Sequence, residues 1–162
     1  MRRLTTAGRL LACAVLLLAC AQAQAKEWRR IVPLRSTRAQ VERQLGKPRN
    51  GFYELKAERV FIYFSGERCA GGEGWDVPRD TVVRIFITPK TKLRFAALRL
   101  DLRRFEKTTD PSVTAHALYS DKEAGLTYTV YEGGGDNNGV IVHIAFDPTA
   151  RDDKLFRCPA SD

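Results

Sequence analysis

Two histidines, His116 and His143, and two cysteines beyond residue 25, Cys69 and Cys158, are the side chains in this 162-residue chain most able to do chemistry. The histidines lie in separate extended stretches, with no cysteine or carboxylate near either at metal-ligand spacing. Each reads as a hydrogen-bonded strand residue, and a dispersed catalytic site around His143 is the competing reading. The chain has no Gly-x-Ser-x-Gly elbow, no His-Glu-x-x-His and no phosphate-binding P-loop. Gly71-Gly72-Glu73-Gly74 precedes Trp75-Asp76-Val77-Pro78 and no helical pattern, so it reads as a loop rather than a phosphate cradle. Gly135-Asp136-Asn137-Asn138-Gly139 lacks the spaced ligands and terminal glutamate of a calcium loop and reads as a turn. The expectation is a non-enzyme with no catalytic residue, metal or cofactor.

The cysteines point to a compartment. Two of the four, Cys13 and Cys20, fall in an N-terminal segment built like an export signal. Arg2, Arg3 and Arg9 give a positive start, Leu10 to Ala19 an apolar run, and Ala23-Gln24-Ala25 a small-x-small cleavage pattern before Lys26. The apolar run is about half the length of a membrane-spanning helix. Leu17-Leu18-Ala19-Cys20 also fits a lipobox, in which Cys20 would be lipidated and the chain held at the outer membrane. Cleavage after Ala25 is the better-formed alternative and predicts a periplasmic or secreted protein. Cys69 and Cys158 then meet an oxidising environment, where an even pair most simply forms one disulfide.

Charge adds little. The formal charge is +8, and removing three arginines with residues 1–25 leaves +5 on residues 26–162. A mildly basic domain can favour phospholipid, lipopolysaccharide or acidic glycan, although a solvated basic surface is the plainer reading. Export argues against nucleic acid, and a membrane is expected as partner only if Cys20 is lipidated.

These residues must be positioned by a small α+β domain over residues 26–162. Thr37-Arg38-Ala39-Gln40 is a capping box, Val41 and Leu45 share a helical face, and Gly46 and Pro48 end the helix. Residues 51–56 and 59–64 read as a hairpin, and residues 81–88 as a third strand closed by Pro89. The basic stretch 90–107 reads as a short helix with an extended connection. Strands follow at 113–119, 126–131 and 140–146, then an irregular tail from Asp147. Val82 to Pro89 and Val140 to Pro148 look alike, so the expected architecture is two tandem αβββ units, about 26–89 and 90–162. Their short helices would pack on one face of a shared antiparallel sheet.

Alternation predicts the sheet faces. Val60, Ile62, Phe64, Val83, Ile85, Ile87, Leu126, Tyr128, Val130, Val142, Ile144 and Phe146 form the expected helix-covered core. The other face would carry Phe61, Tyr63, Val82, Arg84, Phe86, Thr127, Thr129, Tyr131, Ile141, His143 and Ala145. Phe61, Tyr63, Arg84, Phe86, Tyr131 and His143, with Trp75 on its loop, have the composition of a binding surface if exposed. The alternative is that loops or the Cys158 tail cover this face as a second core.

The run Ile31-Val32-Pro33-Leu34-Arg35-Ser36-Thr37-Arg38-Ala39-Gln40-Val41-Glu42-Arg43-Gln44-Leu45-Gly46-Lys47-Pro48 resembles the opening of the SmpA/OmlA (BamE-like) lipoprotein family. That family and the fold-related β-lactamase inhibitor proteins begin a unit with a threonine-capped helix and a Leu-Gly-x-Pro exit, and the inhibitors repeat the unit in tandem. Leu34-Arg35 replaces the glycine usual before the family's threonine. The "PLRSTR…LG.P" opening and Trp75-Asp76-Val77-Pro78-Arg79-Asp80-Thr81-Val82 are also similar to uncharacterised secreted bacterial proteins. The resemblance implies a fold and carries no activity with it. The sheet face and the Trp75 loop lead instead to the expectation of a non-enzymatic envelope binding or scaffolding module contacting a protein or other envelope component, or alternatively a secreted enzyme inhibitor.

Overall fold

A computed structural model describes residues 26–69, 74–109 and 115–159. The signal segment, the lipobox with Cys20, the 71–73 portion of the glycine loop and the start of the strand expected at 113 lie outside the described residues.

Helix α1, Arg38–Leu45, begins as the capping box requires. Thr37 Oγ1 accepts from the Gln40 backbone, and the Gln40 side chain accepts from Thr37 N. Gly46 closes it at φ 81°, and its N–H donates to Glu42 O. Strands β1 (Phe52–Glu54), β2 (Glu58–Phe64) and β3 (Val82–Pro89) follow. Next come β4 (Glu106–Thr109), β5 (His116–Asp121), β6 (Leu126–Tyr131), β7 (Val140–Phe146) and helix α2 (Ala150–Phe156). All seven strands join one antiparallel sheet in the order β1-β2-β3-β7-β6-β5-β4. The architecture is α+β, as the sequence indicates.

Strands β3 and β7 pair symmetrically at the centre of the sheet. Ile85 pairs with Phe146 and Ile87 with Ile144, so β3 and β7 exchange equivalent partners about the Phe86–Ala145 pair. Val82 N donates to Ser36 O, and Ile141 N to Leu93 O, both at 2.8 Å. Arg38 N donates to Asp80 O, and Phe95 N to Gly139 O, again at 2.8 Å. These matched bonds place the Arg94 turn where α1 begins in the first half.

The helix expected in the second half is not there. Residues 95–98 and 102–104 form two short 3₁₀ turns. Arg94 supplies no side-chain cap, and Arg99 adopts a left-handed conformation, φ 49°, that ends the first turn. Arg94 instead donates to the carbonyls of Asn138 and Asp136 at 2.6 and 3.0 Å. The extended connection becomes the edge strand β4.

The tail is also more regular than expected. Thr149 and Asp152 form a second capping box that starts α2. Asp152 is buried and accepts from Arg35 at 2.9 Å, tying α2 to the turn before α1. Cys69 and Cys158 form the disulfide, with an S–S distance of 2.04 Å. Around it, Asp76 N donates to Phe156 O at 2.8 Å and Cys158 N to Gly74 O at 3.1 Å.

The core lies on one sheet face. Trp28, Ile31 and Val41 pack there with Tyr53, Val60, Ile62, Val82, Ile85 and Ile87. Leu126, Tyr128, Val130 and Ile141 continue it beneath Leu93, Phe95, Leu98, Leu100 and Phe105. Two expected face assignments are reversed. Tyr63 pairs with Arg84 but Phe64 with Val82, leaving Val83 as an extra residue in a bulge. Thr129 likewise pairs with His143 but Val130 with Ile141, leaving Val142 extra. A bulge shifts alternation by one, so Val82 and Ile141 enter the core while Val83 and Val142 stand outside it, only partly buried. The bulges occupy corresponding places in β3 and β7.

Candidate functional site

The face opposite the core carries no second layer among the described residues. Register sets one row across it: Phe52, Phe61, Phe86, Ala145, Thr127 and Ser120 are successive cross-strand neighbours. A second row carries His143, Thr129 and Leu118. The first half of the sheet therefore presents an aromatic ridge, and the second half smaller side chains. Phe61 lies 5.4 Å from Phe52 and 4.6 Å from Tyr63 between ring centroids. Tyr63 remains 49% exposed and Phe52 37%. Ala145 is buried beside Phe86.

Next to the ridge is a groove of about 450 Å³, lined by Arg84, Phe86, His116, Leu118, Ser120, Thr127, Thr129, His143, Ala145 and Asp147. The His143 ring lies 4.6 Å from Phe86, and its Nδ1 is 3.2 Å from Thr88 Oγ1. Ser120 and Thr127 hydroxyls are 3.1 Å apart. Arg84 is ion-paired to Asp147 at one end. His116 packs 5.6 Å from Tyr131 at the other. Burial holds the His143 imidazole below its ordinary value of 6.5, and electrostatic interaction with the nearby His116 acts in the same direction.

Arg84 and Asp147 also line an adjoining cleft of about 320 Å³ with Tyr63, Trp75, Val83, Pro148, Asp153 and Arg157. The Arg157 guanidinium stacks 3.7 Å from the Trp75 ring and pairs with Asp153 at 2.7 Å. Disulfide and α2 thus bring Trp75 to the rim of the open face. The Cys158 tail frames the face rather than covering it.

Of the expected binding residues, Arg84, Phe86 and His143 line the groove, Phe61 and Tyr63 form the ridge, and Trp75 stands at the rim. Tyr131 lies beyond His116, where it lines a neighbouring hollow with Lys92 and Val142. Sequence reading missed His116, Leu118 and Ser120 as members of the site. Their spacing along β5 is the signal that could have found them, because alternate residues share a face. It also missed Asp147, which follows β7 and pairs with Arg84.

The hydroxyl–imidazole contact of Thr88 and His143 has two members of a nucleophile–base arrangement. No carboxylate hydrogen-bonds to His143 among the described residues, so the acid that orients such a base is missing from the arrangement. Among the described residues, no group of three or more His, Cys, Asp or Glu side chains stands close enough to hold a metal ion. Four of the seven cations in residues 90–107 are ion-paired. Lys90 pairs with Glu54, Arg103 with Asp101, Arg104 with Asp121 and Lys107 with Glu132, all at 2.8–2.9 Å. No helix among the described residues is long and apolar enough to cross a membrane.

No protein family, curated protein or solved structure matches the chain.

Proposed function

We propose that this chain is an exported, non-enzymatic binding module whose open sheet face engages a protein or another macromolecule of the bacterial cell envelope. The observation that carries the reading is the uncovered aromatic ridge beside a groove of about 450 Å³. A sheet face that exposes phenylalanine and tyrosine to water gains free energy when a partner covers it. Aromatic and arginine side chains are the usual anchors of such contacts.

Export is supported by the Cys69–Cys158 disulfide, which suits an oxidising periplasmic or extracellular setting. Signal cleavage after Ala25 would make the Lys26 nitrogen an α-ammonium. That nitrogen lies 3.2 Å from Ala124 O, a contact it can keep as amide or as ammonium. An intact mass of the mature protein tests this part, since it reports the cleavage site and any lipid on Cys20.

The test of the binding reading is capture from envelope extract by wild type and by the Phe61→Ala/Phe86→Ala variant, after both are shown to melt cooperatively. Partners held by wild type and lost by the variant support it. Identical partners on both refute the assignment to this face.

A further inference from the structure

Both histidines of the chain line the same groove. His143 projects from β7 between Phe86 and Thr88 of β3 and Thr129 of β6. Beyond them β5 presents His116, Leu118 and Ser120. Among the described residues, most other ionisable groups around the groove are paired. Arg84 and Asp147 pair with each other. Arg59, opposite Thr88 on β2, pairs with Glu54, which also takes Lys90. Glu132, next to Tyr131, pairs with Lys107 and accepts from the Tyr119 hydroxyl. Lys92 lines the adjacent hollow beyond Thr88 with Tyr131.

Protonating His143 therefore places a cation in a half-buried site whose one lining carboxylate, Asp147, already serves Arg84. Among the described residues, nothing inside the groove balances that charge. The imidazolium would donate Nδ1–H to Thr88 Oγ1 and keep Nε2–H for a ligand, and the Ser120, Thr127 and Thr129 hydroxyls stand close by. Phe86, Leu118 and Ala145 supply apolar contact for an aliphatic stem. A carboxylate carried on a side chain satisfies both demands, whereas a bare inorganic anion uses only the first.

We propose that the groove is a proton-gated receptor for the acidic side chains of a polypeptide segment, holding them below the histidine titration range and releasing them at neutral pH. This deepens the binding role proposed above and rests on it. By reciprocity, a ligand that binds the protonated groove more tightly raises the affinity of His143 for its proton by the same factor. A tenfold preference corresponds to an upward displacement of about one pH unit in the His143 midpoint.

The probe is the peptide acetyl-Glu-Glu-Phe-Glu-amide, titrated at constant ionic strength while the His143 ring is followed by NMR. Binding about tenfold tighter at pH 5.0 than at 7.5 is expected, with the His143 midpoint displaced upward by about one unit. His143→Gln should fold and melt as wild type does near neutral pH but bind the peptide weakly and equally at both values. Equal affinity of the wild type at both values overturns the proposal. So does an equal displacement by sodium chloride at matched ionic strength. Inorganic phosphate reproducing the full displacement overturns the polypeptide assignment. A capture that depends on Phe61 and Phe86 but not on pH would sink the gate while leaving the binding face intact.

Discussion

Removing the Cys69–Cys158 link should cost this domain much of its stability while leaving the folded groove unchanged. The bond joins residues 89 positions apart, and the same junction is held by the Asp76–Phe156 and Cys158–Gly74 backbone bonds and by Arg157 stacked on Trp75. Native geometry at the junction thus has support independent of sulfur, and the main effect falls on the unfolded chain. Closing a loop of that length removes about 15 cal/mol/K of chain entropy, or about 4–5 kcal/mol at room temperature. A domain of this length unfolds with an entropy of roughly 0.3 kcal/mol/K, so the melting temperature should fall by about 15 °C. The assay is calorimetry of wild type beside Cys69→Ser/Cys158→Ser, with NMR of the Phe86 and His143 rings below both transitions. A fall under about 3 °C would refute the chain-entropy argument. Altered ring spectra in the folded variant would show that sulfur is needed for the native junction itself.

Other substitutions probe the elements around the site. Asp152→Ala removes the acceptor of the Thr149 backbone, the Thr149 hydroxyl and Arg35, and should destabilise by about 1–3 kcal/mol in urea unfolding. Gly125→Ala would place a Cβ 2.1 Å from the Asp147 carbonyl oxygen at a φ of +63°. It should cost at least about 2 kcal/mol by the same assay and displace Asp147 from Arg84. Because the His143 proton affinity is depressed by folding, the unfolded chain takes up more protons than the native one on acidification. The contribution is fully present above pH 6.5 and shrinks as pH falls towards the folded midpoint, so His143→Gln should flatten that part of the stability curve, measured as urea midpoints from pH 7.5 to 5.

Much of the frame was legible because local rules and tertiary demands agree. The Thr37–Gln40 box, the Val41–Leu45 face and Gly46 all fix the same helix, and alternation in β2 and β6 reads directly onto the core. The reversed assignments have a specific cause. Val82 with Val83, and Ile141 with Val142, are adjacent apolar β-branched pairs, so a bulge that exchanges their faces leaves no polar residue out of place. Helix α2 was hidden in Arg151-Asp152-Asp153-Lys154, whose only start signal is Thr149-x-x-Asp152 with the shorter acid. The 93–100 stretch looked helical from its leucines, but Arg94 cannot cap and Arg99 turns left-handed. The groove was partly legible: Phe86 and His143 could be put on one face. Its depth comes from Ala145, Thr127 and Ser120 standing beside the larger Phe86, a neighbourhood that exists only once β7 is known to pair with β3.

The open face is tested most directly by placing a photocrosslinking side chain at Thr127, inside the groove, and in a second protein at Arg43, exposed on α1. Illumination in envelope extract should give a discrete adduct from position 127 that Phe61→Ala/Phe86→Ala abolishes, and none from position 43. An adduct from position 43 alone would place the contact on the helix-covered side and contradict the account.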